Sequence, residues 1–343
     1  MSAFIDKEVE PHFVLRNFLD INNIPYSENF DLSKACHMRA GGRSLFYISP
    51  RSSFDLERLI SEVIRCSLKY VLVGRLSNTL FRSGLIRTIV ISTTKIKKSQ
   101  FDEAGNLYLD CGVNLPKIAK SLTEQGYSGF GGLTGFPASI GGAIYMNASC
   151  YGNAISDFLV SVKCLNVDGA VVIMNKKDVG FSWRYSKFHD TLNGYTILGA
   201  IFLPKKMEDM AEKTHLTFTK KNRSEYQEHK LPNLGSTFST VDIYGDIARR
   251  NKLYKTFYLI INVLSRFFGK RKDKVWATLI NNFTQLYFGL KERNGVGFSD
   301  KTMNCVVNKS SATADDIIDF IYYVKNKTGN VIDIEIQIYD KIY

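Results

Sequence analysis

The hydrophobic pattern of the N-terminal part of the chain predicts strands that alternate with helices. Residues 44–49 alternate with the period of a strand, and residues 70–73 form a second short strand-like run. Between them, Ser-Ser-Phe-Asp at 52–55 is typical of a helix N-terminus, and apolar residues with helical spacing follow it. This stretch therefore predicts a strand–helix–strand unit.

The next segments add strands joined by tight turns. TIVIS at 88–92 and LYLDCGV at 107–113 read as strands, with the turn sequence EAGN at 103–106 before the second. A helix is predicted over 115–124, and residues 158–174 form two strands across an Asp168-Gly169 turn. This order is α+β in character.

The C-terminal part is more polar and helical from about Met207, which predicts a domain boundary near 203–204. Thr313 and Asp316 have the spacing of a helix N-cap, and Gly329 is placed to end that helix. Residues 331–339 read VIDIEIQIY, a strand with isoleucines on one face and polar residues, Glu335 among them, on the other.

Composition narrows the class of protein. The 343 residues are 45% hydrophobic, which indicates an ordered chain of two or three domains. The N-terminus lacks a signal-peptide core and no apolar run nears the ~20 residues of a membrane span, so we expect a cytoplasmic protein. The six cysteines are scattered without metal-ligand spacing, which predicts no metal site. A net charge of +12 indicates anionic partners.

A glycine-rich run, GFGGLTGFPASIGGAIYMNASCYG, occupies residues 129–152. Peptide N–H groups approach a pyrophosphate closely where no Cβ intervenes, and Gly135, Gly141 and Gly142 clear such space while Pro137 stiffens the turn. A tight structural turn is the alternative interpretation. The glycine-rich run alone does not distinguish a pyrophosphate-binding loop from a structural turn.

Eight motifs follow one another along nearly the whole chain. They are the glycine pair 41–42 after CHMRA, GRLSN (74–78), GLTGFPASIGGAIYMNASCYG (132–152), FSWRYSKF (181–188), QEHKLPNLGSTF (227–238), FSDKTMNCVVN (298–308), ATADDIIDFI (312–321) and DIEIQI (333–338). In this order they resemble the motifs of the UDP-N-acetylenolpyruvoylglucosamine reductase (MurB) family. The resemblance implies an FAD-binding fold of the vanillyl-alcohol-oxidase/MurB type, with two α+β subdomains and a C-terminal substrate domain. No Gly-x-Gly-x-x-Gly fingerprint of a Rossmann fold is present.

The implied domains are a first FAD-binding subdomain at 1–70, completed by the strand at 330–343, a second at 71–204, and a substrate-binding domain at 205–329. The last carries a basic insertion near 246–276. The resemblance implies noncovalent FAD, reduced by NADPH or NADH, and a UDP-sugar substrate. The implied cofactor-binding residues are Gly41, Gly42, Gly74, Arg75, Ser77, Asn78, Thr134, Gly135, Pro137, Ala138, Ile140, Gly141, Gly142 and Asn147. A turn cap is the alternative role for Asn147.

The implied reaction reduces an enolpyruvyl ether to a lactyl ether. Hydride addition to the vinyl methylene leaves negative charge beside a carboxylate, so the site needs a fixed cation or hydrogen-bond donors and an acid. Arg184 matches the family's carboxylate-polarising arginine, Ser236 its proton donor, and Glu335 its C-terminal glutamate. Without the family match, the ordinary interpretations of these three residues are an arginine in a surface ion pair, a serine in a turn and a glutamate on the polar face of a strand.

Several substrate-side positions depart from the family pattern. The implied substrate-binding residues are Trp183, Arg223, Gln227, Lys230, Thr240 and Asn304. Trp183 replaces a tyrosine, Ser239-Thr240-Val241 replaces Lys-Asn-Pro, and residues 297–302 depart from Gln-Val-Ser-x-Lys-His. The family's glycine-rich Gly-x-Gly-Ser-Asn loop is here GRLSN at 74–78, in which Arg75 either meets a phosphate or crowds the loop. With the catalytic trio retained, this is the pattern expected if the reaction is kept and the sugar is not the standard one. The product stays open between UDP-N-acetylmuramate and a related lactyl sugar for a surface polysaccharide.

Two other classes stay open: another flavin oxidoreductase such as an alcohol or sugar oxidase, and a flavin-binding protein without turnover. A nucleic-acid partner is not expected, because the aromatic residues show no recognition-motif spacing.

Residues 249–274 have no counterpart in the family pattern. They hold nine Lys and Arg residues against one acid and surround the apolar segment FYLIINVL at 257–264. Leu253, Phe257, Ile260, Ile261, Leu264 and Phe268 fall near helical spacing. The segment is therefore either an ordinary helix whose apolar side is core, or a helix that lies on an acidic membrane surface.

Overall fold

Helices and strands alternate through the residues that the computed structural model describes, which are 6–206, 217, 221, 225 and 227–339. The helices are α1 Asp6–Ile21, α2 Ser53–Arg65, α3 Leu115–Glu124, α4 Ile140–Tyr145, α5 Lys176–Val179, α6 Ile243–Arg250, α7 Lys252–Ser265, α8 Lys272–Phe288 and α9 Ala314–Lys327. The strands are β1 Tyr26–Asp31, β2 Arg43–Ile48, β3 Tyr70–Val73, β4 Thr79–Phe81, β5 Leu85–Ile86, β6 Ile89–Ser92, β7 Ser99–Phe101, β8 Leu107–Asp110, β9 Ser149–Cys150, β10 Asn153–Ala154, β11 Leu159–Leu165, β12 Val171–Asn175, β13 Thr196–Phe202, β14 Val296–Ser299, β15 Thr302–Asn308 and β16 Gln337–Tyr339.

The first sheet has the strand order β1-β2-β6-β3, with β5 beside β2. Strands β2, β6 and β3 are parallel, as the predicted strand–helix–strand unit requires. The Ser52 hydroxyl accepts the N–H of Asp55 at 3.0 Å and so caps α2 as predicted. The predicted subdomain boundary at residue 70 falls inside this sheet, because β3, β5 and β6 all pair within it.

The second sheet is antiparallel throughout, with the order β12-β11-β13-β8-β7. The Asp168-Gly169 turn joins β11 to β12, and Gly169 has a φ of +79°, which glycine adopts without steric cost. Helices α3 and α4 bury their apolar residues against the core of this sheet. The α3 bounds agree with the prediction over 115–124.

The third part packs helices α6 to α9 around the β14–β15 hairpin, and its core is continuous with apolar residues of the first part. Asn308 on β15 is 4% exposed, and its amide bonds the main chain of Met38 and Ala312. Most of residues 207–226, where the sequence predicts the polar helical start of this part, lie outside the described residues.

The last strand is shorter than predicted. Only β16 forms a ladder, parallel to β4, while Ile334 makes an isolated bridge with Phe238. The predicted two-faced pattern is present, since Ile332 and Ile336 are buried in the core. The opposite face, which carries Glu335, is turned toward a cleft.

Helix α7 in the basic segment buries only one of its two apolar sides. Tyr254 is fully buried and Ile261 packs against the core, as the core-helix interpretation requires. That interpretation does not account for the rest of the predicted stripe, because Leu253, Phe257, Ile260, Leu264 and Phe268 are 40–61% exposed. Of the helices in the described ranges, none has both the length and the apolar character of a transmembrane span.

Candidate active site

A cleft of about 1310 Å³ is lined by residues from all three parts of the fold. The first part contributes the loop after β3, and the second contributes the glycine-rich run before and within α4. The third contributes residues 227–236 and the start of β15, while the chain end adds Glu335, Gln337 and Tyr339. The cleft therefore brings together segments that are far apart in sequence.

The loop Gly74–Asn78 presents main-chain donors to this cleft. None of its five N–H groups donates a hydrogen bond to a residue that the structure describes. Leu76 has a φ of +49°, and the Arg75 Nε is buried without a hydrogen-bond partner among the described residues. A Cβ on Gly74 would lie 2.3 Å from the Ser139 Oγ, so only glycine allows the two segments to approach this closely.

The glycine-rich run offers fewer donors than the sequence suggests. The Gly141 N–H donates to the Cys111 carbonyl at 2.7 Å, and the Gly142 N–H donates to the Ser139 Oγ at 3.3 Å. Among residues 135–142, the N–H groups of Gly135 and Ser139 make no hydrogen bond with the described chain. Two of the glycines expected to face a pyrophosphate, Gly141 and Gly142, thus have their N–H groups engaged within the protein, and Gly74–Asn78 supplies most of the unpaired N–H groups.

Arg184 lies in a tight turn in which Ser182 and Tyr185 form an isolated bridge. Its φ of +54° is unusual for a residue with a side chain, a feature that often marks functional positions. The Asn147 Nδ2 donates to the Ser182 carbonyl at 2.7 Å and so supports this turn. Asn147 does not line the cleft, and its Oδ1 is buried without a described partner.

The Arg184 guanidinium faces Glu335. Their Nε and Oε1 atoms are 3.3 Å apart, with 16% and 9% of the two side chains exposed. Neither Nε nor Nη1 of Arg184 has a hydrogen bond with good geometry among the described residues, although both are buried. Phe136 and Trp183 place their rings within 6 Å of the guanidinium carbon, at 5.8 and 5.9 Å. The cation therefore has bonding capacity left for an anionic ligand.

Long-range main-chain contacts position Glu335. Its N–H donates to the Thr237 carbonyl at 2.8 Å, and its carbonyl accepts the Asn78 Nδ2 at 3.4 Å. Burial raises the pKa of the Glu335 carboxyl, and Arg184 partly opposes that shift. The protonated form of Glu335 is thus more accessible than that of an exposed glutamate.

Ser236 is held at the edge of the cleft by the residues on either side. Gly235 has a φ of +76°, and Thr237 donates its N–H to the Asn304 carbonyl at 2.7 Å. The Asn304 Oδ1 accepts the Phe238 N–H at 2.8 Å. Ser236 itself is exposed, and its hydroxyl bonds no residue that the structure describes. Asn304, which the sequence predicts to contact the substrate, also supports the backbone on the C-terminal side of Ser236.

The other sequence-predicted residues divide into two groups. Those that line the cleft are Gly74, Arg75, Ser77, Asn78, Gly135, Pro137, Ala138, Gly141, Gly142, Gln227, Lys230 and Asn304, together with Arg184, Ser236 and Glu335. Those described that do not line it are Gly41, Gly42, Thr134, Ile140, Asn147, Trp183 and Thr240. Arg223 lies outside the described residues.

Packing explains why several of the predicted site residues do not line the cleft. A Cβ on Gly42 would lie 2.5 Å from the carbonyls of Arg82 and Gly84, so this glycine serves a close main-chain contact. Ile140 is fully buried, and the Thr240 hydroxyl bonds the Asp246 carboxylate.

Many residues that line the cleft were not predicted from the sequence, among them His37, Gln337 and Tyr339. Burial lowers the pKa of His37, and Arg75 lowers it further. Gln337 and Tyr339 follow Glu335 with the period of a strand, so the alternation that selected Glu335 could have found them. His37 carried no such signal.

The cleft suits a phosphate-bearing cofactor on its own geometry. It combines a cradle of unpaired main-chain N–H groups with the buried Nε of Arg75, both of which favour an anion. Residues 44–175 match the FAD binding domain family. That match spans β2 to β12 and includes the Gly74–Asn78 loop.

Comparison with known proteins extends the likeness to most of the chain. It is 26% identical over 310 residues to the UDP-N-acetylenolpyruvoylglucosamine reductase of Petrotoga mobilis, which covers 89% of this chain and 90% of that protein. The enzyme of the same name from Clostridium botulinum is 27% identical over 324 residues, covering 92% and 91%. The crystal structure of UDP-N-acetylenolpyruvylglucosamine reductase (MurB) from Thermus caldophilus matches with a TM-score of 0.66 and 19% identity, covering 92% of this chain and 98% of that one.

The chain is a divergent MurB-like protein. The fold predicted from the eight motifs is confirmed by this match, and FAD as the cofactor class agrees with the FAD binding domain. The roles given to individual site residues stay predictions. The MurB-like fold gives these residues a common cleft.

Proposed function

We propose that the chain is a flavin-dependent reductase of a nucleotide-linked enolpyruvyl sugar, which converts the enolpyruvyl ether to a lactyl ether. The observation that carries the proposal is the convergence of Arg184, Glu335 and Ser236 on one cleft beside the Gly74–Asn78 loop. The names of the relatives point to the same reaction. The activity class would be an NAD(P)H-dependent UDP-N-acetylmuramate dehydrogenase of the peptidoglycan precursor route, or a relative of it.

In this proposal the Gly74–Asn78 loop and the buried Nε of Arg75 would hold the diphosphate of FAD. When bound, FAD would supply the hydride, with NADPH or NADH as its source. The protein must then stabilise the charge that develops beside the substrate carboxylate and deliver one proton to the adjacent carbon.

Arg184 is suited to stabilise the charge that develops beside the substrate carboxylate. Its guanidinium is buried and two of its nitrogens lack well-formed hydrogen bonds, so a planar carboxylate can pair with it without displacing a strong partner. Glu335 holds the other side of this pair. Because burial raises its pKa, it can take up a proton as an anion enters and then donate a hydrogen bond rather than repel the charge.

Ser236 is suited to deliver the proton to the adjacent carbon. The main-chain bonds of Thr237 and Phe238 to Asn304 fix the serine backbone, while its exposed hydroxyl has no described partner to give up. A positioned acid contributes roughly 10²–10⁴-fold to such a step.

The test separates the two half-reactions in stopped-flow measurements without oxygen. Ser236→Ala should leave flavin reduction by NADPH unchanged and slow reoxidation by UDP-N-acetylglucosamine enolpyruvate by roughly 10²–10⁴-fold. Ser239→Ala is the matched control, because Ser239 is three residues away and does not line the cleft. Equal loss in both half-reactions would remove Ser236 as the acid.

A second candidate differs only in the sugar. Thr240, at a position implied to contact the substrate diphosphate, bonds Asp246 instead and does not line the cleft. This favours a related enolpyruvyl sugar for a surface polysaccharide. A panel of UDP-linked enolpyruvyl sugars in the reoxidation step distinguishes the two. A colourless protein that cannot be reconstituted with FAD would refute both.

A further inference from the structure

Helix α7 has a second apolar face that the described residues leave largely exposed. We call it the outer face: Leu253, Phe257, Ile260, Leu264 and Phe267, whose exposures run from 40% to 83%. These residues recur at intervals of four, three, four and three, which places them on one side of the helix and of the turn that continues it.

The outer face is distinct from the face that packs on the protein. Tyr254 is fully buried, and its hydroxyl lies 2.6 Å from the Thr284 Oγ1 on α8. Tyr258 and Ile261 continue this inner face against the core. At 100° per residue, the inner and outer faces point about 120° apart. Of the outer face, Phe257 also contacts α8, since its ring lies 5.1 Å from that of Phe283, whereas Ile260 and Leu264 are 47% and 50% exposed.

Basic residues lie on the third side of the helix and of the turn that follows it. Lys252, Lys255 and Arg266 fall in one sector, again about 120° from the centre of the outer face, and share it with the exposed Leu259. Residues 249–274 hold nine basic residues and one acid, Asp273. Among the basic side chains of residues 249–268, which the structure describes, Arg249 alone forms an ion pair, with Asp246. An apolar face beside a basic sector is the pattern of helices that lie in the surface of an anionic bilayer.

We propose that α7 docks this protein on an anionic phospholipid surface, with the outer face at the boundary of headgroups and acyl chains and the basic residues among the headgroups. Charge complementarity selects this occupant. A second copy of the chain would bring together two segments with the same excess of positive charge, whereas acidic headgroups neutralise it.

The test is co-sedimentation of the full FAD-loaded chain with vesicles of equal parts phosphatidylglycerol and phosphatidylcholine. Binding should be strong at low salt, absent on pure phosphatidylcholine, and weakened at about 1 M salt, where screening shortens to about 3 Å. The double variant Ile260→Ser, Leu264→Ser should bind at least about tenfold more weakly, since each side chain loses apolar burial in the bilayer surface.

Ile173→Ser is the matched control. Ile173 is 72% exposed on β12, away from the basic segment, so its loss should not alter vesicle binding. Lys252→Glu with Lys255→Glu should reduce binding while leaving flavin content unchanged, because neither lysine lines the cleft.

The proposal is overturned if the wild-type chain does not sediment with anionic vesicles at low salt, or if Ile173→Ser weakens binding as much as the double variant. It is also overturned in favour of a second copy if ultracentrifugation shows a dimer that the double variant dissociates while vesicles bind neither form. None of these readouts depends on the reductase activity.

Discussion

Gly74→Ala tests whether the close approach of two loops builds the cofactor cradle. The added Cβ would lie 2.3 Å from the Ser139 Oγ and 3.3 Å from the Ser139 Cβ. Ser139 is 1% exposed and its hydroxyl caps α4 by accepting the Gly142 N–H. The alanine must therefore either push two main-chain segments apart or turn the hydroxyl away from its cap.

The free-energy cost of each of these two responses is known to an order of magnitude. Overpacking of a well-packed site costs about 1–3 kcal/mol, and loss of a serine N-cap costs about 1 kcal/mol. We expect Gly74→Ala to lower the free energy of unfolding by about 1–3 kcal/mol. We also expect weaker FAD retention, because the displaced loop carries the unpaired N–H groups.

The assay is a double-mutant cycle with Ser139→Ala, read by urea denaturation and by flavin absorbance per protein. Ser139→Ala alone should cost about 1 kcal/mol as the lost cap. In its background Gly74→Ala should cost much less, because the closest atom is gone and no cap is left to break. The coupling free energy should be about 1–2 kcal/mol.

Two results would refute this reasoning. One is a Gly74→Ala protein as stable as wild type with full flavin content. The other is strict additivity of the two substitutions, which would mean that the contact between Gly74 and Ser139 does not limit the loop.

Two further predictions concern buried polar groups. Burial raises the pKa of Glu335 in the folded chain above its unfolded value of 4.5. Between the unfolded and folded pKa values, the folded chain therefore holds a proton that the unfolded chain has lost, and the free energy of unfolding falls as the pH rises through that window. Glu335→Gln should flatten this fall in urea denaturation measured across pH, and an unchanged slope would contradict it. Asn308→Ala should lower the free energy of unfolding by about 2–4 kcal/mol, because it leaves buried main-chain groups of two segments unpaired; a loss below ~1 kcal/mol would contradict that origin.

The sequence alone determined where most elements lie. The caps at Ser52 and Thr313 and the turn at Gly169 are local, because each depends on hydrogen bonds or dihedral angles within a few residues. The motif order also fixed the fold type, since eight short matches in register leave few alternatives. The predicted subdomain boundary at residue 70 cuts through the first sheet, because the membership of a strand in a sheet depends on pairing with strands that are distant in sequence.

Only the tertiary structure decided what each site residue contacts. Arg184 and Glu335 are far apart in sequence, and nothing local to either predicts their 3.3 Å approach. The sequence presented Gly141 as a phosphate donor, yet its N–H is taken by Cys111, whereas the loop at 74–78 keeps its donors unpaired. Likewise, the apolar spacing of α7 predicts a helix but not which apolar side the protein covers. Periodicity is a property of neighbouring residues, whereas solvation and hydrogen-bond partners depend on packing between segments that the local pattern does not connect.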